Sequence, residues 1–293
     1  MHKENQRIAK SCPCCASVVL RKSPAILMPF IAHRVFGWEP VEIDESWGLK
    51  TIHNGHAYSI CNSLRCSECN FLFLDIRFSD SELEALYKGY RDAEYVQLRE
   101  FYEPGYGEKN KGLLGGASYI DQVEVFLAPH LSLPVRLLDW GGDTGKNSPF
   151  KTKNKCWHIY DIGNQMPIDG ATAVDKETVL CNSYDLIVCS NVLEHVPFPI
   201  DMIMDIKKYM NKETLLYIEV PYERLVREWD EHALIEKEKK HWHEHINFFT
   251  KNALKKLINS CSLDLVSIEV LEVPSSHSNE ISTLFQLACK LHS

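Results

Sequence analysis

The chain has 293 residues, of which 45% are hydrophobic and 25% charged, and these are ordinary values for a globular protein. Its formal net charge of −8 excludes a nucleic-acid binder that relies on a general basic surface. No run of about 18 apolar residues occurs, so we expect no membrane span. The opening residues MHKENQRIAK contain no apolar signal core, and we therefore expect a cytoplasmic protein.

Six of the eleven cysteines lie within the first 69 residues, in the segments SCPCCAS and ICNSLRCSECN. In a reducing compartment thiols serve as metal ligands, nucleophiles or core side chains. The pairs Cys12 with Cys15 and Cys66 with Cys69 have the C-x-x-C spacing that places two thiolates on one tetrahedral metal ion. We therefore predict a structural zinc ion. Iron is the alternative metal, and redox pairs or free thiols are the interpretation without a metal.

The two cysteine pairs are too far apart for a compact zinc ribbon, so the predicted module carries an insertion. The insertion contains KTIHNGHAYSI, whose Asn-Gly pair predicts a turn between two strands. We place the zinc-binding module at residues 1–78 and expect it to cover the substrate side of a larger domain.

A linker is predicted at residues 79–114 and begins with SDSELEALYK, in which Ser79 and Glu82 form a capping box for a helix. Tyrosines and arginines recur along this linker. They either pack on the core or line an active-site mouth, where they would bind a sugar, phosphate or carboxylate group. The next segment, GASYIDQVEVFLAPHL, predicts a helix whose apolar residues include Val125 and Phe126.

The central feature of the chain is the stretch VRLLDWGGDTGKNSPF, a short apolar strand that runs into a glycine-rich turn. The turn contains Asp139, Gly141, Gly142, Asp143 and Gly145. Glycine accepts positive φ and lets the backbone approach a ligand, while free amides face the site. A dinucleotide site would carry a glycine at the middle position. A second carboxylate there repels a pyrophosphate and suits a cationic ligand; the alternative is a tight turn without a ligand.

A second strand is predicted at residues 157–160 and closes on Asp161. This acid follows Asp139 by about 20 residues, the interval at which nucleotide-binding folds present an acid to ribose hydroxyls. Three further strands are predicted at residues 171–174, 186–189 and 215–220. Asn191 and His195 follow the strand at 186–189, where open α/β sheets bind their ligands.

With these motifs the chain resembles the class I S-adenosylmethionine-dependent methyltransferases. The family pattern is D-x-G-x-G-x-G, then an acid after the second strand, an LEH segment and an EVP segment. The matching positions are residues 139–145, Asp161, residues 193–195 and residues 219–221, and Asp143 departs from the family pattern. The resemblance implies a Rossmann-like α/β fold over residues 115–293, with a seven-stranded sheet and helices on both faces. It implies S-adenosylmethionine binding by Asp139, Gly141, Gly142, Asp143, Gly145, Asp161 and Asn191.

The charged segment at residues 222–240 is interpreted as a solvated helix and a candidate lid. In the following HWHEHINFFT, an extended backbone would place His241, His243 and His245 on one side. A metal site there needs a further ligand that the sequence does not identify. We favour His245 as a general base, since the ordinary histidine pKa of about 6.5 lets it take a proton at neutral pH. A helix at 251–260 and two strands, joined by a loop with His277 and Asn279, close the predicted fold.

The order of a four-cysteine module, a class I core and a Glu-His pair before an FF segment resembles a narrower group. These are the nucleotide-sugar C-methyltransferases of deoxysugar biosynthesis and their relatives in surface-polysaccharide clusters. The resemblance implies acid-base roles for His245, Glu244 and His195. It also implies a participating linker tyrosine, for which the candidates are Tyr95, Tyr102 and Tyr106.

We therefore predict methyl transfer to a small polar acceptor, a sugar or nucleotide sugar of a surface glycan. One alternative is O- or N-methylation of a phosphorylated or phosphoramidate-bearing capsule precursor. The other is a non-catalytic zinc protein whose degenerate methyltransferase core recruits a partner, and the Asp143 substitution is its main support.

Overall fold

The computed structural model describes residues 7–49, 55–163, 165–227, 234–274 and 281–292, without the side chains of residues 113 and 114. Two large β-sheets organise these residues. Among the helices described, none combines the length and the hydropathy that a membrane crossing requires.

The N-terminal elements are β1 (Leu20–Leu27), α1 (Pro29–Phe36), β2 (Val41–Ile43), β3 (Gly55–Ala57), β4 (Ile60–Cys66) and β5 (Leu72–Leu74). Strand β4 pairs antiparallel with β1 and with β5, while β2 and β3 form a separate antiparallel pair. Helix α1 begins at Pro29, a residue favoured in the first helical turn because it lacks an N–H donor. Asn54 of the predicted Asn-Gly turn and the strand before it lie outside the described residues, whereas Gly55 begins β3.

Four helices follow: α2 (Asp80–Tyr87), α3 (Ala93–Tyr102), α4 (Tyr106–Leu114) and α5 (Ile120–Leu127). The capping box predicted at Ser79 and Glu82 is confirmed, because each side chain accepts a hydrogen bond from the other residue's amide. The predicted face of α5 is partly wrong. Val125 is 74% exposed, whereas Val123 and Phe126 are buried. Residue 125 lies two positions from Val123, which is almost the opposite side of a helix.

The second sheet begins with five strands separated by two helices. They are β6 (Val135–Trp140), β7 (Asn154–Tyr160), β8 (Thr172–Ala173), α6 (Lys176–Leu180), β9 (Leu186–Ser190), α7 (Pro199–Lys207) and β10 (Leu215–Pro221). All five strands are parallel, and each was predicted from the sequence within a few residues.

The remaining elements are α8 (Arg224–Arg227), α9 (Ile235–Glu238), β11 (His241–Trp242), β12 (Asn247–Phe248), α10 (Lys251–Ser260), β13 (Leu263–Pro274) and β14 (Ile281–Leu291). Strand β14 pairs antiparallel with β10 and β13, which gives the order β13-β14-β10-β9-β6-β7-β8. The predicted Rossmann-like seven-stranded sheet is therefore confirmed. The middle of the predicted lid helix, residues 228–233, lies outside the described residues, as does the loop with His277 and Asn279.

Alternate residues of the parallel strands pack on opposite faces of this sheet. On one face Leu138 and Ile187 join the core formed with α7 and α10. On the other face Leu137 and Val188 pack with residues of α5. Both faces of the strands are buried, and this is why their sequences are continuously apolar.

The short strands β11 and β12 belong to the N-terminal sheet, although they follow the seven-stranded sheet's β10 in the chain. That sheet has the order β11-β1-β4-β5-β12, so the two strands lie at its two edges. The boundaries predicted at residues 1–78, 79–114 and 115–293 stay a prediction. The third of these segments nevertheless supplies two strands to the sheet of the first.

The cysteine-bearing loops pack on α10 through aromatic and polar contacts. The ring centroids of Phe71 and Phe249 are 4.9 Å apart, and Phe249 is fully buried. The Thr250 hydroxyl donates to the Cys69 carbonyl at 2.9 Å, and the Ser260 hydroxyl donates to the Cys14 carbonyl at 3.1 Å. The cysteine-bearing loops and the seven-stranded sheet with its helices therefore share one packed interior.

Replacing Phe249 with Ala should lower the free energy of unfolding by about 3–5 kcal/mol, because it leaves a cavity where the two parts meet. Denaturant unfolding measures this change. The matched control is Phe101→Ala, since Phe101 is 75% exposed and its loss should change stability by less than about 0.5 kcal/mol. Equal losses for the two variants would contradict the shared interior.

Candidate active site

The glycine-rich turn at the end of β6 needs glycine at two positions. Gly141 and Gly145 have φ values of 79° and 81°, in the left-handed region that glycine favours. A Cβ at Gly141 would lie 2.5 Å from Val192, and a Cβ at Gly145 would lie 2.4 Å from Ile159. The turn therefore packs closely on its neighbours, and its backbone lies open to the cavity described below.

Asp143 occupies the position at which the family pattern has glycine. Its φ is 53°, so the aspartate adopts the left-handed conformation that glycine would supply. Asp and Asn tolerate this region better than most residues. Aspartate in place of glycine thus keeps the left-handed backbone conformation at this position and adds a carboxylate to the turn.

Three aspartates converge around the turn. Asp161 accepts hydrogen bonds from the amides of Asp143 at 2.9 Å and Gly163 at 2.6 Å. Asp139 is buried and accepts from the Ser148 hydroxyl. Burial raises the pKa of Asp139 to about 7, and the charges of Asp161, Glu219 and Asp143 act in the same direction. Such a negative cluster favours a cationic ligand over an anionic one.

A cavity of about 530 Å³ opens above this turn. Of the residues predicted to bind cofactor or act in catalysis, five line it: Gly141, Asp143, Asp161, Asn191 and His195. Other lining residues come from α2 and the loop after it, including Asp80, Glu84, Tyr87 and Tyr90. The predicted residues Asp139, Gly142, Gly145, Glu244 and His245 are not part of this lining.

Asn191 has a φ of 54° and is held by a buried carboxylate. Its side-chain amide donates to Glu219 at 2.8 Å, and the same glutamate accepts from the hydroxyls of Tyr119 and Ser190. Tyr217 donates to the second oxygen of Glu219 at 2.7 Å. Glu219 belongs to the EVP segment, so one buried glutamate fixes the loop that follows β9.

The predicted catalytic histidines lie together. The rings of His195 and His245 are edge-to-face with centroids 4.7 Å apart. Tyr87 contacts His195, with its hydroxyl 2.8 Å from Nδ1 of that histidine. This differs from the three tyrosines expected from the sequence.

The three tyrosines named in the sequence analysis contact other groups. Tyr102 bonds to Nδ1 of His33 at 2.9 Å. Tyr95 and Tyr106 are buried beside Arg99, so they follow the core-packing interpretation of the linker. Tyr87 and Tyr90 line the cavity, as the alternative interpretation expects. The linker therefore has both roles, in different residues.

Glu244 is bound by Arg99 of α3. Nη2 of Arg99 lies 2.8 Å from each carboxylate oxygen of Glu244, and its Nε lies 3.0 Å from Glu103. Burial acts to raise the pKa of Glu244, but the charges of Arg99 and His245, together with the hydrogen bonds that Glu244 accepts, outweigh it and lower the pKa to about 2. Glu103 in turn is 3.3 Å from Nδ1 of His243.

The carboxylate that contacts His245 is Glu223, which the sequence analysis did not identify. Its Oε1 is 3.2 Å from Nδ1 of His245. Burial acts to lower the pKa of His245, but the hydrogen bond that its imidazole donates to Glu223 and the charges of Glu194 and Glu244 raise it above its ordinary value. For His195 burial dominates and lowers the pKa, with the charge of His245 adding to the effect.

Glu194, the residue before His195, is 1% exposed. Neither of its carboxylate oxygens has a hydrogen-bond partner among the residues that the structure describes. Burial raises its pKa to about 7. Glu194 is the glutamate of the LEH segment. The lack of hydrogen bonds to its carboxylate depends on tertiary packing, which the sequence does not show.

The four predicted metal-ligating cysteines also lie together, with all four sulfur atoms within 4.8 Å of one another. Sγ of Cys12 is 3.6 Å from that of Cys69, and Sγ of Cys15 is 3.6 Å from that of Cys66. Tetrahedral zinc with Zn–S bonds of about 2.3 Å requires sulfur atoms roughly 3.8 Å apart. All eleven cysteines fall within the described residues, and all are free thiols.

The sheet order and the glycine turn followed by an acid define a class I S-adenosylmethionine-dependent methyltransferase fold. Residues 110–268, more than half of the chain, match the family model described as a methyltransferase domain. The chain belongs to this family, and it is an enzyme that uses S-adenosylmethionine. The interpretation as a non-catalytic recruitment protein is therefore not retained.

The solved structures that are similar to the chain have low sequence identity to it. An N1-methyltransferase of 1,6-didemethyltoxoflavin from Burkholderia thailandensis, with its substrate and S-adenosylhomocysteine bound, is 14% identical, with a TM-score of 0.48 over 78% of this chain and 98% of its own. A methyltransferase from Anabaena variabilis is 12% identical, with a TM-score of 0.43 over 60% of this chain and 86% of its own. A methyltransferase from Leishmania major is 13% identical, with a TM-score of 0.41 over 58% of this chain and 71% of its own. No curated protein sequence matches the chain. The family assignment therefore rests on the match of residues 110–268 to the family model.

Replacing Arg99 with Met should lower the free energy of unfolding by about 3–5 kcal/mol, because the Glu244 carboxylate would lose its buried partner. The matched control is Arg136→Met. Its pair with Asp185 is exposed, and its loss should cost about 1 kcal/mol or less. Chemical denaturation of both variants makes the comparison. Similar small changes for both would show that the Arg99 pair is not an effectively buried one.

Proposed function

We propose that the cavity binds S-adenosylmethionine at the glycine turn and a small polar acceptor beside His195. The observation that carries this proposal is that both sets of residues line one cavity. Gly141, Asp143 and Asp161 belong to the glycine turn and the acid after β7, and the same cavity is lined by Tyr87 and His195. The cofactor, when bound, supplies an electrophilic methyl group. The enzyme's own contribution is to align an acceptor atom with that group and to remove its proton.

The chain offers a fitting cradle for a ligand with cationic groups. A Cβ at Gly141, Gly142 or Gly145 would lie 2.4–2.5 Å from its nearest neighbour, so the turn is built around bare backbone. The carboxylates of Asp143 and Asp161 face the cavity and suit the positive charge of a sulfonium or an ammonium group. Together with the buried Asp139 and with Asn191, these residues make up the cofactor-binding set that we propose.

The acceptor that we propose is a sugar or the sugar part of a nucleotide sugar, for a surface glycan. Its hydroxyls would meet the polar groups of Asp80, Glu84, Tyr87, Tyr90 and Gln165. The charge of the lining argues against a phosphate inside this cavity. Its one lysine, Lys176, is already paired with Asp205 at 2.5 Å. A phosphorylated capsule precursor is therefore the weaker candidate, and a nucleotide part would lie outside the cavity.

We assign the removal of the acceptor's proton to the centre formed by His195, His245 and Glu244. Tyr87 and the Glu244 carbonyl orient His195, while Glu223 orients His245. Glu244 itself is engaged by Arg99, so its role is to fix the chain and the local charge.

We also propose that Cys12, Cys15, Cys66 and Cys69 hold a structural zinc ion. The support is the number, type and spacing of the four sulfurs. A metal at this position would brace the loops that pack on α10.

The cofactor assignment predicts a sharp difference between two glycine variants. Gly145→Ala should weaken S-adenosylhomocysteine binding at least tenfold in calorimetry, because its methyl group would displace Ile159 and Trp157 from the turn. Gly105→Ala has a comparable backbone strain, with φ of 94°, but open space around it. Its affinity should stay within twofold of the parent. Equal affinities for the two variants would remove the turn from the cofactor site.

The proposed reaction is tested with methyl-labelled S-adenosylmethionine, a panel of sugars and nucleotide sugars, and mass spectrometry of the products. Label should appear on one acceptor. His245→Ala should lower the rate by roughly 100-fold or more while cofactor affinity stays nearly unchanged. His243→Ala is the control and should retain activity. A fully active His245→Ala variant would remove this residue from the reaction, and label appearing only on non-sugar acceptors would overturn the substrate class.

A further inference from the structure

Glu194, His195 and His245 form a group whose ligand atoms all lie within 4.8 Å of one another. This group is separate from the four cysteines and combines residues of two distant segments of the chain. We propose that it binds a divalent transition-metal ion through one carboxylate oxygen and two imidazole nitrogens. The proposal supplies the further ligands that a metal site at the histidine-rich segment requires.

Glu194 gives the strongest indication of a bound cation. Its carboxylate is 1% exposed, and both oxygens lack a hydrogen-bond partner among the described residues. Buried carboxylates are as a rule paired or bound to metal, because desolvation of an unpartnered charge is strongly unfavourable. The closest charged or chargeable partner is Nε2 of His195, 3.8 Å from Oε1. That distance is too long for a hydrogen bond but leaves room for a shared ion.

Both histidines have their second nitrogen fixed in the way that metal-binding histidines require. Nδ1 of His195 is 2.8 Å from the Tyr87 hydroxyl and 3.2 Å from the Glu244 carbonyl. Nδ1 of His245 is 3.2 Å from the Glu223 carboxylate. Partners of this kind set the tautomer and leave Nε2 as the ligand atom. Nε2 of His195 is the ring nitrogen that lies 3.8 Å from Oε1 of Glu194.

The ligand types restrict the metal. Two imidazoles with one carboxylate suit zinc, ferrous iron or cobalt, whereas calcium and magnesium take oxygen ligands. Three protein ligands also leave a coordination position open. If the proposed function is correct, this position is where an acceptor hydroxyl would bind and become more acidic. His245 would then contribute to the removal of the acceptor's proton as a ligand of the metal ion, and not as the direct base predicted from the sequence.

Metal analysis of the full chain, purified without a polyhistidine tag, tests the proposal. We expect two equivalents of metal in the parent protein and one in Glu194→Gln. The matched control is His243→Gln, which alters a neighbouring histidine outside the group and should retain two. Cys66→Ser should lose the thiolate-bound equivalent and keep the other.

Substitution with cobalt(II) identifies which site is lost. Glu194→Gln should remove weak visible bands and retain the near-ultraviolet thiolate-to-metal charge transfer. Cys66→Ser should remove the charge-transfer absorption and retain the weak visible bands. If Glu194→Gln does not fold, Glu223→Ala leaves all three ligands in place. It should weaken the affinity of the second equivalent by roughly 10- to 100-fold in chelator competition.

One equivalent in the parent that is unchanged by Glu194→Gln, or unchanged affinity in Glu223→Ala, would overturn the metal site. Calorimetry with S-adenosylhomocysteine and the labelled-methyl assay separate this failure from that of the proposed function. A missing second metal with cofactor binding and transfer intact rejects the metal site alone. A second metal without cofactor binding rejects the proposed function alone.

Discussion

The histidine-rich segment depends on strand pairing at both of its ends. Strand β11 pairs with β1 at one edge of the N-terminal sheet, and β12 pairs with β5 at the other edge. The residues between them, 243–246, are therefore held at both ends by backbone hydrogen bonds before any side chain contributes. This arrangement makes the sheet of the cysteine-bearing module part of the scaffold of the candidate site. Loss of that sheet would free the segment that carries Glu244 and His245.

Three side-chain contacts then hold this segment and the neighbouring His195 in place. Arg99 of α3 holds Glu244, Glu223 after β10 holds His245, and Tyr87 of α2 holds His195 after β9. Each contact joins residues that are at least 20 positions apart. The site is thus a product of tertiary packing, whereas the glycine turn is local and depends mainly on backbone conformations that two glycines and one aspartate allow.

This difference explains what the sequence could and could not predict. The parallel strands and the glycine turn follow from short-range patterns of apolar residues and glycines, and the structure confirms their positions. Tyr87, Arg99 and Glu223 have no such pattern, because their partners lie far away in the chain. The sequence therefore points to Tyr95, Tyr102 and Tyr106 and does not point to Tyr87. Tyr87 ends the helix that begins at the capping box, and only the docking of that helix brings it to His195.

Two Glu-His pairs meet at the site, and their glutamates have opposite environments. The Glu244 carboxylate receives two hydrogen bonds from Arg99, so its charge is balanced within the chain. The Glu194 carboxylate is more deeply buried than that of Glu244, and it receives no hydrogen bond from the described residues. A stable fold tolerates such a group only when a proton or a cation neutralises it. Because Glu194, His195 and His245 bring their ligand atoms within 4.8 Å of one another, one metal ion would neutralise the Glu194 carboxylate and bind both imidazoles.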